Sequence, residues 1–160
     1  MKTNAARLLD KLKISYELKE YEVDPEDLTA QTVANKIGFP CNQVFKTLAA
    51  IGNKNGVLLA VVPGDTQLDL KSVAKISGNS DVKLAPLKDV ENLTGYIRGG
   101  VTALACKKPY PVYVHESITE FDRISISAGQ RGIQIIIKPQ DYIDAVKAKV
   151  AAIAKEEQTT

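Results

Sequence analysis

Two apolar runs that flank a short polar turn constrain the fold of this chain most strongly. Residues 43–51, QVFKTLAAI, and residues 57–63, VLLAVVP, have the length and the valine, leucine and isoleucine content of β-strands. The sequence GNKNG connects them, and its Asn55–Gly56 pair favours a tight hairpin turn. Because a hairpin joins antiparallel strands, a fold made only of parallel βαβ units is excluded.

Lys46 lies in the middle of the first apolar run. Strand alternation places it on the face of Val44 and Leu48, opposite Phe45 and Thr47, and neither face is plainly polar. A lysine in this setting must be paired, must extend its amine to water or must have a lowered pKa, and such lysines are enriched at functional sites. An edge-strand lysine that prevents aggregation gives the same pattern. The strand pattern alone favours neither interpretation.

The remaining elements follow in an irregular order. Capping residues predict helices that start after Thr3, Thr29 and Asp69, and prolines predict two more that start at Pro86 and Pro139. Further strands are predicted at 14–18, 111–115, 123–127 and 133–138. The last helix is expected to be long, with these residues on its core side: Tyr142, Ile143, Val146, Val150 and Ile153.

This order predicts an α+β domain, in which short helices wrap a mixed, strongly twisted or barrel-like sheet. The chain has 160 residues, of which 44% are hydrophobic, and this suffices for one domain with a core. Residues 1–155 are expected to form that domain. The polar residues 156–160 are expected to fray.

Charge and hydropathy exclude several classes of protein. The net charge of +2 excludes a highly basic nucleic-acid coat protein, although it permits a local basic patch that contacts RNA. No apolar run reaches the length of a membrane span, so no membrane partner is expected. The N-terminus carries Asp10 and lacks the continuous apolar stretch of a secretory signal, so a cytoplasmic location is expected.

The sequence offers few of the side chains that usually perform catalysis. Cys41 and Cys106 are far apart, and the single histidine, His115, leaves too few ligands for a zinc site. No Ser-His-Asp set or pair of carboxylates stands out, and no cofactor or metal is expected. An enzyme with this sequence would therefore rely on positioning and on backbone donors.

Two glycine-containing segments are candidate loops. In residues 94–102, TGYIRGGVT, three glycines allow exposed N–H groups to bind an anion or polarise a carbonyl, but the pattern itself favours a tight turn. In residues 127–132, SAGQRG, a superficial match to the GxxG loop of KH modules is flanked by strands, so a hairpin turn is favoured. Ser127 and Arg131 would then be free to line a cleft.

In combination, QVFKTL, TGYIRGG and SAGQRG resemble the motifs of the YbaK/prolyl-tRNA-synthetase-associated editing family. The resemblance covers nearly the whole chain in the family's order, from NAARLLDKLKISYELKEYEVDP to ISAGQRGIQI. It implies the editing-domain fold and a free-standing deacylase that acts on the acceptor end of mischarged tRNA. The branch most similar to this chain is the YbaK type, which removes cysteine from Cys-tRNA(Pro).

The resemblance also implies roles for individual residues. Lys46 and Gly100 are the implied catalytic residues, with Lys46 lining the active site and Gly100 supplying a backbone N–H near the scissile ester. Contacts with RNA are expected from Arg98, Lys107 and Lys108, for which solvated surface charge is the alternative. The implied substrate-binding residues are Tyr21, Thr47, Gly99, Val101, Ser127, Gly129 and Arg131.

The implied reaction is hydrolysis of the ester that joins an amino acid to the 3′ adenosine of mischarged tRNA(Pro). In the cysteine-specific branch the cysteinyl thiol attacks its own carbonyl, whereas other branches position a water and act on small amino acids such as alanine. Prolyl-tRNA synthetase is the partner that the resemblance suggests, and no oligomeric state is predicted. A non-catalytic module that binds tRNA or a synthetase remains the alternative function.

The chain departs from the family pattern at several positions. Ala103 and Ala105 replace a proline and a glycine of the family loop, Val23 replaces a histidine, and Gln134 replaces an acidic residue. The lysine and the paired glycines are retained, so deacylase activity is expected. The altered wall of the pocket leaves the amino acid undecided.

Overall fold

The computed structural model describes residues 2–157, in which five α-helices accompany ten β-strands. The helices are α1 (Asn4–Lys11), α2 (Ala30–Ile37), α3 (Leu70–Ser77), α4 (Leu87–Thr94) and α5 (Pro139–Val146). The strands are β1 (Tyr16–Glu20), β2 (Phe45–Gly52), β3 (Gly56–Pro63), β4 (Thr66–Leu68), β5 (Val82–Leu84), β6 (Val112–His115), β7 (Ile124–Ser127), β8 (Ile133–Ile137), β9 (Lys149–Ala151) and β10 (Ala154–Glu156).

The predicted helix starts are confirmed by the capping contacts. The side chain of Thr3 accepts a hydrogen bond from the N–H of Ala6 at the start of α1, and Thr29 and Asp69 do the same for α2 and α3. Gly38 ends α2 in the left-handed conformation with φ of 78°, which a glycine adopts without strain. Local sequence signals therefore determine both ends of α2.

The predicted hairpin is also confirmed. Strands β2 and β3 pair antiparallel from Phe45 opposite Pro63 to Gly52 opposite Gly56. The side chain of Asn79 fastens the turn, since its Oδ1 accepts hydrogen bonds from the N–H groups of Lys54 (2.9 Å) and Asn55 (2.8 Å).

The hairpin forms the centre of a mixed sheet of five strands in the order β5-β2-β3-β6-β9. The pairs β5–β2 and β2–β3 are antiparallel, and the pairs β3–β6 and β6–β9 are parallel. A three-stranded antiparallel sheet, β1-β8-β7, and the two-stranded pair β10-β4 complete the described strands. The prediction of an α+β domain with a mixed sheet is therefore confirmed. None of the sheets within residues 2–157 closes on itself, so the barrel-like form of that prediction is not confirmed.

Both faces of the five-stranded sheet are covered. One face packs against the three-stranded sheet, α1 and α5, with Phe45, Leu59 and Ile126 buried between them. The other face packs against α3, β4 and Ile153. Strand alternation thus places Lys46 and Leu48 on the face opposite Phe45, as predicted. None of the helices within residues 2–157 is long and apolar enough to cross a membrane.

The C-terminal part of the fold differs from the prediction. Helix α5 ends at Val146, and Lys147 follows in the left-handed conformation with φ of 54°. The prediction of a long helix that reaches Ile153 is therefore wrong, because two strands, β9 and β10, follow α5 and flank Ile153. Strand β10 is paired as far as Glu156, the first residue of the expected frayed tail, and residues 158–160 lie outside the described residues.

Candidate active site

A cavity of about 510 Å³ opens beside the first half of β2. The N-terminal part of α2 borders one side of it, and the glycine-rich loop after α4 borders another. The lining residues come from within segments 28–33, 44–49, 84–90 and 98–101, together with Gly64, Ser127, Gln134 and Glu157.

Lys46 lines this cavity, and its amine lies near two oxygen atoms. Its Nζ donates a hydrogen bond to the carbonyl oxygen of Gly64 at 3.3 Å and lies 3.8 Å from Oε1 of Glu157. The side chain remains 30% exposed, so its amine can meet a ligand. Strand β2 pairs with β3 from Phe45 to Gly52 but with β5 only from Ala50 to Gly52, so strand order alone does not decide the role of Lys46. Because Lys46 lines the cavity, the active-site interpretation is favoured over the aggregation-blocking one.

Internal hydrogen bonds fix the conformation of the glycine-rich loop. The hydroxyl of Thr94 accepts from the N–H of Tyr96 (3.0 Å) and donates to the carbonyl of Val90 (2.8 Å). The hydroxyl of Tyr96 donates to the carbonyl of Leu104 at 2.6 Å. Burial raises the pKa of Tyr96 to about 12, so this hydroxyl stays a donor at neutral pH.

The glycine-rich loop packs against the SAGQRG turn, which connects β7 and β8 as predicted. Nε of Arg131 donates to the carbonyl oxygen of Arg98 at 2.7 Å. A Cβ on Gly100 would lie 3.3 Å from backbone atoms of Gln130 and Arg131, and one on Gly129 would lie 2.7 Å from Cε1 of Tyr96. The two motifs therefore form one unit, and glycine permits their close approach.

The backbone of the loop presents two amides near the cavity. The N–H of Gly100, the implied oxyanion donor, already donates to the carbonyl of Ile97 at 2.9 Å, and Gly100 is buried behind the wall. Its neighbours Gly99 and Val101 line the cavity, and their N–H groups donate to no other residue within 2–157. These two amides, like that of Arg98, therefore lie at the cavity wall without a hydrogen bond to another residue within 2–157.

The predicted site residues fall into three groups. Those that line the cavity are Lys46, Thr47, Arg98, Gly99, Val101 and Ser127. Those that lie behind its wall are Gly100, Gly129, Arg131 and Tyr21, of which the last packs in the cluster of Val33 and Ile136. Lys107 and Lys108 lie apart from the cavity, in a second depression of about 530 Å³ that Lys147 also lines.

Neither thiol of the chain is set up as a nucleophile. Burial, assisted by the charge of Asp65, raises the pKa of Cys41 above its usual value. Burial raises the pKa of Cys106 to about 11. Since the thiolate is the reactive form, both cysteines are poor nucleophiles at neutral pH. No group of three or more His, Cys, Asp or Glu side chains within residues 2–157 is arranged to hold a metal ion.

Two contributors to the site were not found by sequence reasoning. Gly64 follows β3 and supplies the carbonyl oxygen that holds Lys46. Glu157 reaches the cavity because β10 pairs with β4. No local motif marks either residue, since both act through contacts between segments that are distant in sequence.

The comparisons with known proteins agree with the predicted class. A family model described as the aminoacyl-tRNA editing domain matches residues 24–145. A protein of Enterococcus faecalis, assigned as a Cys-tRNA(Pro)/Cys-tRNA(Cys) deacylase, is 40% identical over 98% of this chain and 95% of its own length. The chain therefore belongs to the aminoacyl-tRNA editing family. The prediction of an aminoacyl-tRNA deacylase is confirmed at the level of the class of enzyme.

More distant relatives extend this result. A protein of Escherichia coli, named a multifunctional Ser/Thr-tRNA deacylase, is 28% identical over 71% of this chain and 70% of its own length. A crystal structure assigned as a trans-editing enzyme for prolyl-tRNA synthetase covers 97% of this chain and 99% of its own, with a TM-score of 0.80 and 24% identity. A hypothetical protein of known structure reaches a TM-score of 0.87 at 24% identity, over 96% of this chain and 100% of its own. At 24% identity, these two similarities show that the chain shares the fold of those structures.

Proposed function

We propose that this protein is a trans-editing deacylase that hydrolyses the ester of mischarged tRNA(Pro), with Cys-tRNA(Pro) as its principal substrate. The observation that carries the proposal is one cavity that is lined both by Lys46 and by the backbone of the glycine-rich loop at Gly99 and Val101. The name of the relative that is 40% identical supports the choice of cysteine.

The lining residues suggest how a terminal aminoacyl-adenosine would be held. Lys46 and Arg98 bring positive charge to the cavity and suit the anionic backbone of the tRNA end. The hydroxyls of Thr47 and Ser127 offer hydrogen bonds to the ribose or the ester. The amides of Gly99 and Val101 are the oxyanion donors, while Gly100 allows the loop to pack against the SAGQRG turn.

The reaction with a cysteinyl ester needs little from the protein beyond position and charge. As the substrate thiol loses its proton, its sulfur forms a bond to its own carbonyl carbon, the carbon–oxygen ester bond breaks, and the 3′ oxygen of the tRNA leaves and takes a proton. Water then opens the resulting cyclic thioester and releases free cysteine. Negative charge on the carbonyl oxygen is stabilised by the loop amides. For an amino acid without a thiol, such as alanine, a positioned water replaces the sulfur.

The test is a panel of aminoacyl-tRNAs incubated with the wild-type protein, with Lys46→Ala and with Lys75→Ala. The control, Lys75, is an exposed lysine of α3 that lies outside the cavity. We expect release of amino acid from Cys-tRNA(Pro), with slower release from Ala-tRNA(Pro) and Ser-tRNA(Pro) and none from Pro-tRNA(Pro). Loss of the lysine should lower kcat/KM by about 10²-fold, the size typical of one electrostatic contact with the transition state.

Two results would contradict the proposal. If the protein binds tRNA but releases the amino acid from no mischarged tRNA faster than buffer does, the non-catalytic binding module is the better description. If Lys46→Ala matches Lys75→Ala, the role proposed for Lys46 fails.

The proposed partners follow from this substrate. The acceptor end of mischarged tRNA is the ligand, and prolyl-tRNA synthetase is the proposed source of the mischarged product. The cytoplasmic location stays a prediction.

A further inference from the structure

The cavity contains an acid that the proposed roles do not use. Among its lining residues within 2–157, Glu157 is the only carboxylate, and the wall also carries two cationic residues, Lys46 and Arg98. The other polar side chains of the wall are neutral. A single negative charge in a site for an anionic nucleic acid calls for a specific purpose, because it would otherwise weaken binding.

The fold places Glu157 at the cavity through several contacts. Strand β10 pairs antiparallel with β4, with Glu156 opposite Thr66. Nδ1 of His115 accepts hydrogen bonds from the N–H groups of Ile153 and Ala154, both at 3.1 Å. The backbone N–H of Asp69 donates to the carbonyl of Ile153 at 2.7 Å. The segment that carries Glu157 is thus held in position directly before it reaches the cavity.

The Glu157 carboxylate lies near Lys46 but does not form a close hydrogen bond with it. Oε1 of Glu157 lies 3.8 Å from Nζ of Lys46, whereas a charge-assisted N–H···O bond measures roughly 2.7–2.9 Å. The closer partner of Lys46 is the Gly64 carbonyl at 3.3 Å. The Glu157 side chain is 54% exposed and accepts no hydrogen bond from another residue within 2–157. It therefore has acceptor positions free for a ligand.

The substrate of the proposed function carries a matching group. An aminoacyl ester has one cation, the α-ammonium group, separated by one carbon from the ester carbonyl. We propose that Glu157 binds this α-ammonium group, so that the cavity selects esters with a free amino group over N-acylated ones such as peptidyl-tRNA. This inference rests on the proposed function, and it fits the short distance between Glu157 and Lys46, since the ammonium and the ester are also close neighbours.

The first experiment compares a mischarged tRNA that the wild type hydrolyses with the same tRNA after N-acetylation. The wild type should prefer the free amine by roughly three- to tenfold in kcat/KM, the range of a half-exposed charged contact. Glu157→Gln should lose this preference and should hydrolyse the acetylated substrate like the wild type. Glu156→Gln, the exposed neighbour on β10, should keep the preference.

Two kinetic outcomes would overturn the inference. If Glu157→Gln lowers kcat/KM for both substrates equally, Glu157 acts only by positioning Lys46. If the wild type shows no preference for the free amine, the cavity does not recognise the ammonium group.

A binding experiment separates this inference from the proposed function. The probes are 3′-alanylamino-3′-deoxyadenosine, a non-hydrolysable amide, and its N-acetyl derivative, measured by calorimetry against the wild type and Glu157→Gln. Binding that requires both the free amine and Glu157, without any hydrolysis of mischarged tRNA, would sustain the inference and defeat the proposed function. If the protein hydrolyses mischarged tRNA but binds both probes equally well, the proposed function is sustained and the inference about Glu157 is defeated. Failure to bind either probe would overturn the inference.

Discussion

At the scale of single residues, the site depends on glycines that permit contact as much as on side chains that make it. Gly129 has φ of +92° and lies against the ring of Tyr96. The same ring fixes the glycine-rich loop through its hydroxyl bond to Leu104. A side chain at position 129 would therefore disturb both the SAGQRG turn and the wall of the cavity.

Gly129→Ala should be more destabilising than Gly56→Ala, although both glycines have positive φ. Gly56, in the hairpin turn, has φ of +76° and open space around it, so alanine there should cost about 1–2 kcal/mol for backbone strain alone. At Gly129 the contact with Tyr96 should add about 1–3 kcal/mol. Urea unfolding of both variants measures the difference, and equal losses of stability would contradict this account of Gly129.

The same pair of variants also tests the link to function. Deacylation by Gly129→Ala should fall relative to Gly56→Ala under conditions where both remain folded. Full activity of Gly129→Ala would show that the loop does not depend on this contact.

At the scale of elements, the C-terminal strand is the part of the fold that most directly connects stability with the site. Strand β10 follows Ile153, which is fully buried against α3 and β4. The ring of His115, at the end of β6, accepts two backbone hydrogen bonds at the start of β10. These bonds require Nδ1 to be unprotonated, so the attachment of β10 depends on the neutral form of His115.

Stability should fall as the pH is lowered through the range in which His115 gains a proton. Burial lowers the pKa of His115 below its usual value of 6.5, while Glu116 and Glu120 oppose this shift. Because the native pKa is depressed, the contribution is fully present above pH 6.5 and is lost as the pH falls from there toward the native pKa. Unfolding midpoints measured between pH 8 and pH 5 should show this loss.

His115→Asn is the matched control, since its side-chain oxygen can accept the same N–H groups without titrating. The stability difference between the wild type and His115→Asn should therefore change as the pH falls below 6.5, whereas contributions from other titrating groups cancel. A difference that stays constant across this range would rule out the proposed role of His115.

At the scale of the whole molecule, local sequence signals predicted the secondary structure, whereas contacts between distant segments determine how the elements pair and pack. The Asn55–Gly56 turn and the caps at Thr3 and Thr29 could be read directly, because each depends on neighbours within a few residues. The prediction of a long C-terminal helix was wrong because the spacing of Val146, Val150 and Ile153 is compatible with a helix. The same spacing is compatible with residues distributed over α5, β9 and the link to β10. No sequence pattern could reveal the pairing of β10 with β4.

The same distinction applies to the site. Its motifs predicted Lys46, the glycine-rich loop and the SAGQRG turn, and the structure brings all three to one cavity or its wall. Glu157 and the occupied N–H of Gly100 could not be predicted, since both follow from how segments pack and not from their composition.

The charge of the whole molecule is too small to hold tRNA by itself, so binding should depend on local patches. The net charge is +2, and the second depression gathers Lys107, Lys108 and Lys147, all exposed. The glycine-rich segment continues from the cavity wall at Val101 to this depression at Ala103. A tRNA whose 3′ end occupies the cavity therefore has a basic surface along the same loop for its phosphates.

The double variant Lys107→Gln/Lys108→Gln should weaken tRNA binding and flatten its dependence on salt. Each lost phosphate contact should reduce the slope of log K against log salt concentration by about 0.7–0.9, so two contacts should reduce it by roughly 1.4–1.8. Lys71→Gln/Lys75→Gln, which removes two exposed lysines of α3, has the same net charge and should leave the slope unchanged. Equal slopes for the two double variants would mean that tRNA senses only the total charge, and the basic depression would then have no place in recognition.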